Sequence, residues 1–307
     1  MTAMRVNTVL GEVAADDLGW TLTHEHLLID IYVRFQPHRE YMLFDVDLAC
    51  AELAPFVAAG GSTLVEVTTN DIGRSPVRLA EIARRVGLNI VMGTGRYREP
   101  FYERELWETP TQQIADGLIR DIEVGTDGGI KAGIIGEIGV HERHVSPVEE
   151  RVHRAAARAQ VRTGVALTTH SIASPVGLAQ LDIFAEEGVD LRRVVIGHSD
   201  TYPDPDYHRA LIRRGAFVQF DTIRGASEYE TARTIGLITG LVDDGHIEHI
   251  LLSQDVCATA HLTAYGGTGY GFLISTFSER LRQGGLAQEQ LDQLFVRNPK
   301  RMLSGSA

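Results

Sequence analysis

Short apolar, β-branched runs alternate along this chain with longer segments in which apolar residues recur every three or four positions. The short runs fall at 20–23, 63–68, 89–93, 132–138, 165–169, 194–197, 217–220 and 250–253 and predict strands. The longer ones, at 47–58, 76–86, 111–124, 147–162, 175–187, 206–214, 230–243 and 271–283, predict helices. Pro147 and Pro175 stand where a first helical residue is expected. Eight strand-helix units therefore follow one another at even spacing.

Eight such units without a linker or low-complexity stretch match a one-domain (β/α)8 TIM barrel, an α/β fold, better than an open doubly wound sheet, which stays as the alternative. The 307 residues are enough for that barrel with additions at both ends: an N-terminal extension over 1–19, and a short helix at 288–296 within a C-terminal tail of 286–307. The loop after the third strand is long and aromatic, carrying Tyr97, Phe101, Tyr102 and Trp107.

Charge narrows the partners. Lys and Arg total 29 against 41 Asp and Glu, a net −12, which argues against nucleic acid and against an anionic membrane surface. It does not argue against an anionic substrate, because bound divalent metals invert the local charge. No apolar run has signal-peptide or membrane-span length, so a cytoplasmic protein is expected, and Cys50 and Cys257 are expected to be free thiols.

The polar residues at the strand ends are the most informative. His24 and His26, in THEH, lie two apart on the first strand and share a face. His170 ends the fifth strand in LTTH, His198 follows the sixth in VIGHSD, and Asp255 follows the eighth in LLSQD. A barrel gathers these C-terminal strand ends at one mouth, and imidazole with carboxylate is the usual ligand set of Zn²⁺ and similar cations. Each alone reads as a core histidine or a helix cap; together at one end of one barrel they read as a metal site. Glu137, in AGIIGEIG, sits between glycines on the fourth strand and is read as a carboxylate bridging two metals, against the alternative of a buried acid paired with Arg. Lys131 is six residues earlier, roughly 20 Å away at ~3.3 Å per residue, and out of reach.

With THEHLLID, GTGRY, KAGIIGEIG, TTH, GHSD, LLSQDV and NPKRML in this order, the sequence resembles the phosphotriesterase family of the amidohydrolase superfamily across almost its whole length. The resemblance implies a binuclear-metal hydrolase on a (β/α)8 barrel. His24, His26 and Asp255 would hold the more buried ion, and His170 and His198 the more exposed one. A hydroxide would bridge them. It also implies a homodimer, two divalent ions (Zn, with Mn, Fe or Co as alternatives), and a lactonase-like place for Tyr97 at the site. On strand four the best-known members use a carboxylated lysine where this chain has Gly136-Glu137, and a one-residue offset normally turns a side chain to the other face of a strand. Some phosphotriesterase homology proteins look similar here and use a glutamate bridge, so the bridging role is carried to Glu137.

Two metals acidify a shared water and polarise the bond under attack, and Asp255 is placed as the catalytic proton acceptor. The expected substrate is a small carboxylic ester or lactone, with a phosphotriester or amide as alternatives on the same site. Tyr97 and Arg224, in FDTIRG, are candidate substrate contacts, with ring packing and a solvated loop charge as their plain readings. The glycine-rich 265–271 segment lacks a P-loop lysine and is read as a mobile loop or lid; His141 and His144 are read as exposed, and Cys257 as a packed thiol beside Asp255. Two competing readings are a single-metal hydrolase of deaminase type, which needs no strand-four bridge, and a metal-containing protein that binds a ligand without turning it over.

Overall fold

The computed structural model describes residues 4–31 and 39–305. The parallel strands are β1 (Trp20–Glu25), β2 (Gly61–Glu66), β3 (Asn89–Thr94), β4 (Ile134–Gly139), β5 (Ala166–His170), β6 (Val194–Ile196), β7 (Phe217–Phe220) and β8 (Ile250–Leu252). Their order in the sheet is their order in the chain. The seam between β8 and β1 is drawn together by the Asp255 amide donating to the His24 carbonyl at 3.2 Å, the Thr23 hydroxyl donating to Leu252 O at 3.1 Å, and the His24 amide donating to the Ser253 hydroxyl at 2.9 Å. The result is a nearly closed barrel, the architecture the strand-helix alternation predicts.

Around it run α1 (Val46–Ala58), α2 (Pro76–Val86), α3 (Thr111–Glu123), α4 (Pro147–Thr163), α5 (Gly177–Glu186), α6 (Pro205–Arg213), α7 (Glu228–Asp243) and α8 (Ser278–Gln283). Pro147 opens α4 as expected, behind a capping box in which the Glu149 amide donates to Ser146 Oγ at 3.3 Å and the Ser146 amide to Glu149 Oε2 at 3.0 Å. Pro175 does not open α5, which starts two residues later. There the Gly177 amide donates to the Tyr207 hydroxyl at 3.1 Å, and a side chain on Gly177 would collide with that same oxygen, so tertiary packing sets the start. The expected helix at 271–283 begins as a wider turn over Leu273–Phe277 before α8. The terminal helix expected at 288–296 continues through a second wide turn to Ser304, with Pro299 tolerated in the first turn of the last piece.

Strand alternation separates two cores. Leu64, Ile90, Ile135, Leu167, Ile196 and Leu252 face outward and pack with the helices. Val65, Val91, Ile134, Val195, Phe217 and Leu251 face inward and form the barrel floor, closed from below by Val6 of the hairpin Arg5–Thr8/Gly11–Ala14, by Leu18, and by Met302 and Leu303 of the last helix. Burial of each such side chain contributes roughly 1.5–3 kcal/mol. No helix among the described residues is long and apolar enough to cross a membrane, and both Cys50 and Cys257 are free.

Candidate metal centre

All six expected ligands reach the mouth by a departure from regular strand geometry or by the end of a strand. On β4, Ile134 points in and Ile135 out, so strict alternation would turn Glu137 outward. The pairing with β5 slips by one residue between Ile135↔Leu167 and Ile138↔Thr169, and this bulge aims Glu137 into the barrel. Gly136 makes the bulge possible: its φ is +131°, and a Cβ there would lie 2.4 Å from the Thr168 carbonyl. A similar slip between Leu22↔Leu64 and Glu25↔Glu66 turns His24, with His26, into the mouth. His170 arrives at the regular end of β5. His198 and Asp255 follow β6 and β8 in left-handed backbone, at φ +53° and +49°. Non-glycine residues at positive φ concentrate at functional sites because their cost must be met elsewhere in the fold.

The geometry brings the six side chains together. His170 Nδ1 lies 3.1 Å from Glu137 Oε2 and 2.8 Å from His198 Nε2, and His198 Nε2 is 3.7 Å from the same carboxylate oxygen. On the other side His26 Nε2 is 3.6 Å from Glu137 Oε1 and 3.3 Å from Asp255 Oδ1, while His24 Nε2 is 3.3 Å from Glu137 Oε2 and 3.8 Å from Asp255 Oδ1. Among the described residues three donor groups have metal-binding dimensions: His24-His26-Glu137 and Glu137-His170-His198, with Glu137 common to both, and His24-His198-Asp221 behind them.

All of these groups are buried. Burial alone would raise the Glu137 carboxyl, but the imidazoles of His170 and His24 hold it well below the usual carboxylate range. Burial opposes the charged form of His24, yet the carboxylates of Asp221 and Glu137 push it up to about 9. His198 is likewise driven well above its ordinary value by Asp221 against the effect of burial, whereas burial wins at His170 and lowers it to about 4. Burial would raise Asp255; the Arg224 guanidinium and the neighbouring imidazoles hold it far below. Carboxylates and imidazoles are thus packed against one another in one buried pocket. Neither ring nitrogen of the fully buried His24 has a hydrogen-bond partner, and a divalent cation at Nε2 is what such an orphaned donor set fits.

Several partners of these side chains are absent from the sequence reading. Asp221, directly after β7, accepts from the His198 amide at 3.0 Å and from its Nδ1 at 2.7 Å, and lies 3.3 Å from His24 Nδ1. It thereby turns both Nε2 atoms toward Glu137, the carboxylate-histidine arrangement that orients metal ligands. Its signal was a carboxylate at a strand's C-terminal end, the signal used for Asp255. His26 Nδ1 contacts the Thr68 hydroxyl at 2.8 Å, which in turn donates to Glu66 at 2.5 Å. Glu25 accepts from Ser253 Oγ and from the amides of Gln254 and Val256, each at 2.8 Å, and so fixes the turn that carries Asp255. Burial raises both of these carboxyls to about 7.

Above the cluster opens a cavity of about 890 Å³, walled in part by Tyr97, Phe101, Ile172 and Arg224. Tyr97 OH lies 3.2 Å from His170 Nε2. Arg224 is not a solvated loop charge. Its Nε donates to Gln254 O at 2.8 Å, and Nη2 donates to Asp255 O at 2.7 Å and to Asp255 Oδ2. His141 and His144 are exposed, although His141 borders the cavity, and Lys131 precedes β4 on the far side of the strand from the cluster. Cys257 is a buried thiol whose pKa burial raises well above the ordinary value. The glycine-rich 265–271 segment, expected to be mobile, is docked at one end: Tyr270 is 1% exposed and its hydroxyl donates to His26 O at 2.6 Å.

The sequence profile of the phosphotriesterase family matches residues 4–303. The phosphotriesterase homology protein of Escherichia coli is 37% identical over 93% of this chain and 98% of its own; its crystal structure, with phosphate in the active site, superposes with a TM-score of 0.90. A resiniferatoxin-binding protein from Rhodobacter sphaeroides is 35% identical, covers 98% of this chain and 95% of its own, and has a TM-score of 0.92. A lactonase from Listeria monocytogenes is 27% identical over 99% of this chain and 100% of its own, with a TM-score of 0.90. The fold agrees with these likenesses, and the chain belongs to the phosphotriesterase family.

Proposed function

We propose that this protein is a two-metal hydrolase of small carboxylic esters or lactones. The observation that carries the reading is Glu137, the carboxylate common to both histidine sets: His26 Nε2 lies 3.6 Å from Oε1, while His24 Nε2 at 3.3 Å and His170 Nδ1 at 3.1 Å approach Oε2, so one buried carboxylate reaches both sets. His24, His26 and Asp255 would hold one ion and His170 and His198 the other, with Glu137 between them. Zn is the first candidate for an imidazole and carboxylate set, with Mn, Fe or Co accepted by availability. When bound, the two cations would supply acidity to the attacking water and polarise the carbonyl oxygen.

The chain's own groups do the rest. Arg224 holds Asp255 Oδ2, leaving Oδ1 toward the cluster, 3.3 Å from His26 Nε2. Asp255 accepts the proton of the attacking water and delivers it to the leaving oxygen. Asp221 keeps His24 and His198 aimed, and Tyr97 with Phe101 and Ile172 gives the acyl portion an apolar wall. A ligand-binding protein without turnover, which the name of the Rhodobacter sphaeroides protein brings to mind, needs no carboxylate held as Asp255 is.

Elemental analysis of the purified protein, paired with a screen of lactones, aryl esters, amides and an organophosphate before and after chelation, tests this. The expected result is close to two metals per chain, turnover of the lactone or ester that chelation abolishes, and loss of about half the metal in Glu137→Gln. Full metal content and unchanged activity in Glu137→Gln would overturn the two-metal reading. Absence of turnover in the metal-loaded protein would transfer it to ligand binding.

A further inference from the structure

Among the described residues, two arginines line the cavity above the cluster, in opposite situations. Arg224 has spent its donors on the carbonyls of Gln254 and Asp255 and on the Asp255 carboxylate. Arg98, directly after Tyr97, has spent none. Among the described residues its side chain makes no hydrogen bond or ion pair, and its Nε is buried without a partner. What holds it is aromatic: its guanidinium carbon sits 5.0 Å from the centre of the Tyr97 ring and 5.3 Å from that of Phe101. Cation-π contact with two rings fixes the plane of the fork while leaving its hydrogen-bond donors unused.

A buried donor without an acceptor is costly, and a guanidinium in a ligand cavity is the side chain best matched to a planar oxyanion, which it grips through two parallel N–H bonds. Its place relative to the cluster is set by one ring. The Tyr97 centroid lies 5.0 Å from the guanidinium and 4.6 Å from the His170 imidazole, so one small ligand can reach from one to the other. The surrounding charge is mixed, since Glu40 lines the same cavity, but Glu137 and Asp255 would be neutralised by the cations they hold. Among the described residues Arg98 is then the cavity arginine with donors still to satisfy.

We propose that Arg98 anchors an oxyanion of the substrate, a carboxylate, sulfonate or phosphate carried a few bonds from the carbonyl under attack. The natural substrate is therefore an anionic ester, lactone or amide. This deepens the hydrolase reading and rests on it for the word substrate, but not for the anion site itself. Arg98 is a specificity residue: it touches the end of the ligand that does not react, and its effect falls on KM more than on kcat.

The test uses the full-length, metal-loaded protein and two matched pairs of probes. Binding is measured by calorimetry with tetrahydrofuran-2-carboxylate and its uncharged carboxamide, and turnover with 5-oxotetrahydrofuran-2-carboxylate and its carboxamide. The wild type is expected to prefer the carboxylate in both. Arg98→Gln should lose ~10- to 100-fold of that preference, the scale of a hydrogen bond to a charged group, mainly in Kd and KM. Arg98→Lys, which keeps the charge but not the fork, should restore part of it, and this partial rescue separates recognition from a packing defect of the loop. Equal binding of both probes by the wild type, or a carboxylate preference that survives Arg98→Gln because the metals alone hold the anion, overturns the proposal. If neither lactone is turned over while carboxylate binding still depends on Arg98, lactone hydrolysis fails and the anion site stands. If both lactones are turned over with a ratio that Arg98→Gln leaves unchanged, the hydrolase reading stands and the anion site fails.

Discussion

The two ends of the barrel interior are built from the same eight strands and obey opposite rules. At the floor, Val65, Val91, Ile134, Val195, Phe217 and Leu251 face inward against Val6, Leu18, Met302 and Leu303, with no titratable side chain among them. At the mouth, a few residues further along the same strands, the inward positions hold four histidines and three carboxylates, all buried. The floor gains stability by removing apolar surface from water. The mouth pays in desolvation and in left-handed backbone at His198 and Asp255. A barrel carries such a mouth because the floor and the outer helical layer fix the strands independently of it. Stability and chemistry are thus divided along the strand axis.

The division is open to direct attack, and the largest effect is expected at the mouth. Asp255→Asn removes the proton acceptor and should lower kcat by ~10²–10⁴-fold in steady-state kinetics at matched metal content. At the floor, Phe217→Ala leaves a cavity among residues that cannot collapse and should cost about 3–5 kcal/mol in denaturant unfolding, with the activity of the folded fraction unchanged. If Phe217→Ala altered metal content as strongly as stability, the two ends would not be separable. Asp221→Asn touches neither the floor nor the ligand atoms themselves. It loosens His24 and His198, and metal affinity should fall ~10- to 100-fold in competition with a chelator while the far-ultraviolet spectrum is preserved.

The smallest effect sharpens the contrast between buried imidazoles. His153, on α4, is as buried as His24 but has neutral partners, donating through Nδ1 to Glu149 O at 2.8 Å and meeting Gln180 Nε2 at 3.1 Å, and burial lowers it to about 4. The folded protein then binds fewer protons than the unfolded chain between pH 6.5 and about 4. Its contribution to stability is present above pH 6.5 and is lost as the pH falls through that window. His153→Gln should flatten this part of the stability profile in chemical unfolding followed against pH. A profile equally steep in the variant would mean that His153 is not the group responsible.

Much of this was legible in the residue pattern because it depends on neighbours along the chain. Period-two and period-3.6 alternation located all eight strands within one or two residues, and strand ends carrying His or Asp pointed to one mouth. Gly136 was visible as a glycine beside Glu137, but the slip in register that reverses the face of Glu137 comes from pairing with β5 and has no counterpart in the sequence of β4 alone. Asp221 was passed over because an acid after a strand reads equally well as a helix cap. Glu25 was hidden because alternation places it opposite to His24 and His26. Arg224 shows the limit most plainly: its charge could be read from the sequence, while its partner, Asp255, lies across the β7–β8 loops.

By itself, then, the sequence determined the barrel, the end at which chemistry collects and the types of donor available there, since periodicity and residue chemistry are local properties. Only the tertiary structure decided the face of Glu137, the second carboxylate behind His24 and His198, and which of the two cavity arginines has donors left to offer. Each of those depends on strand register or on contacts between loops distant in the chain, and neither is encoded at the residue it governs.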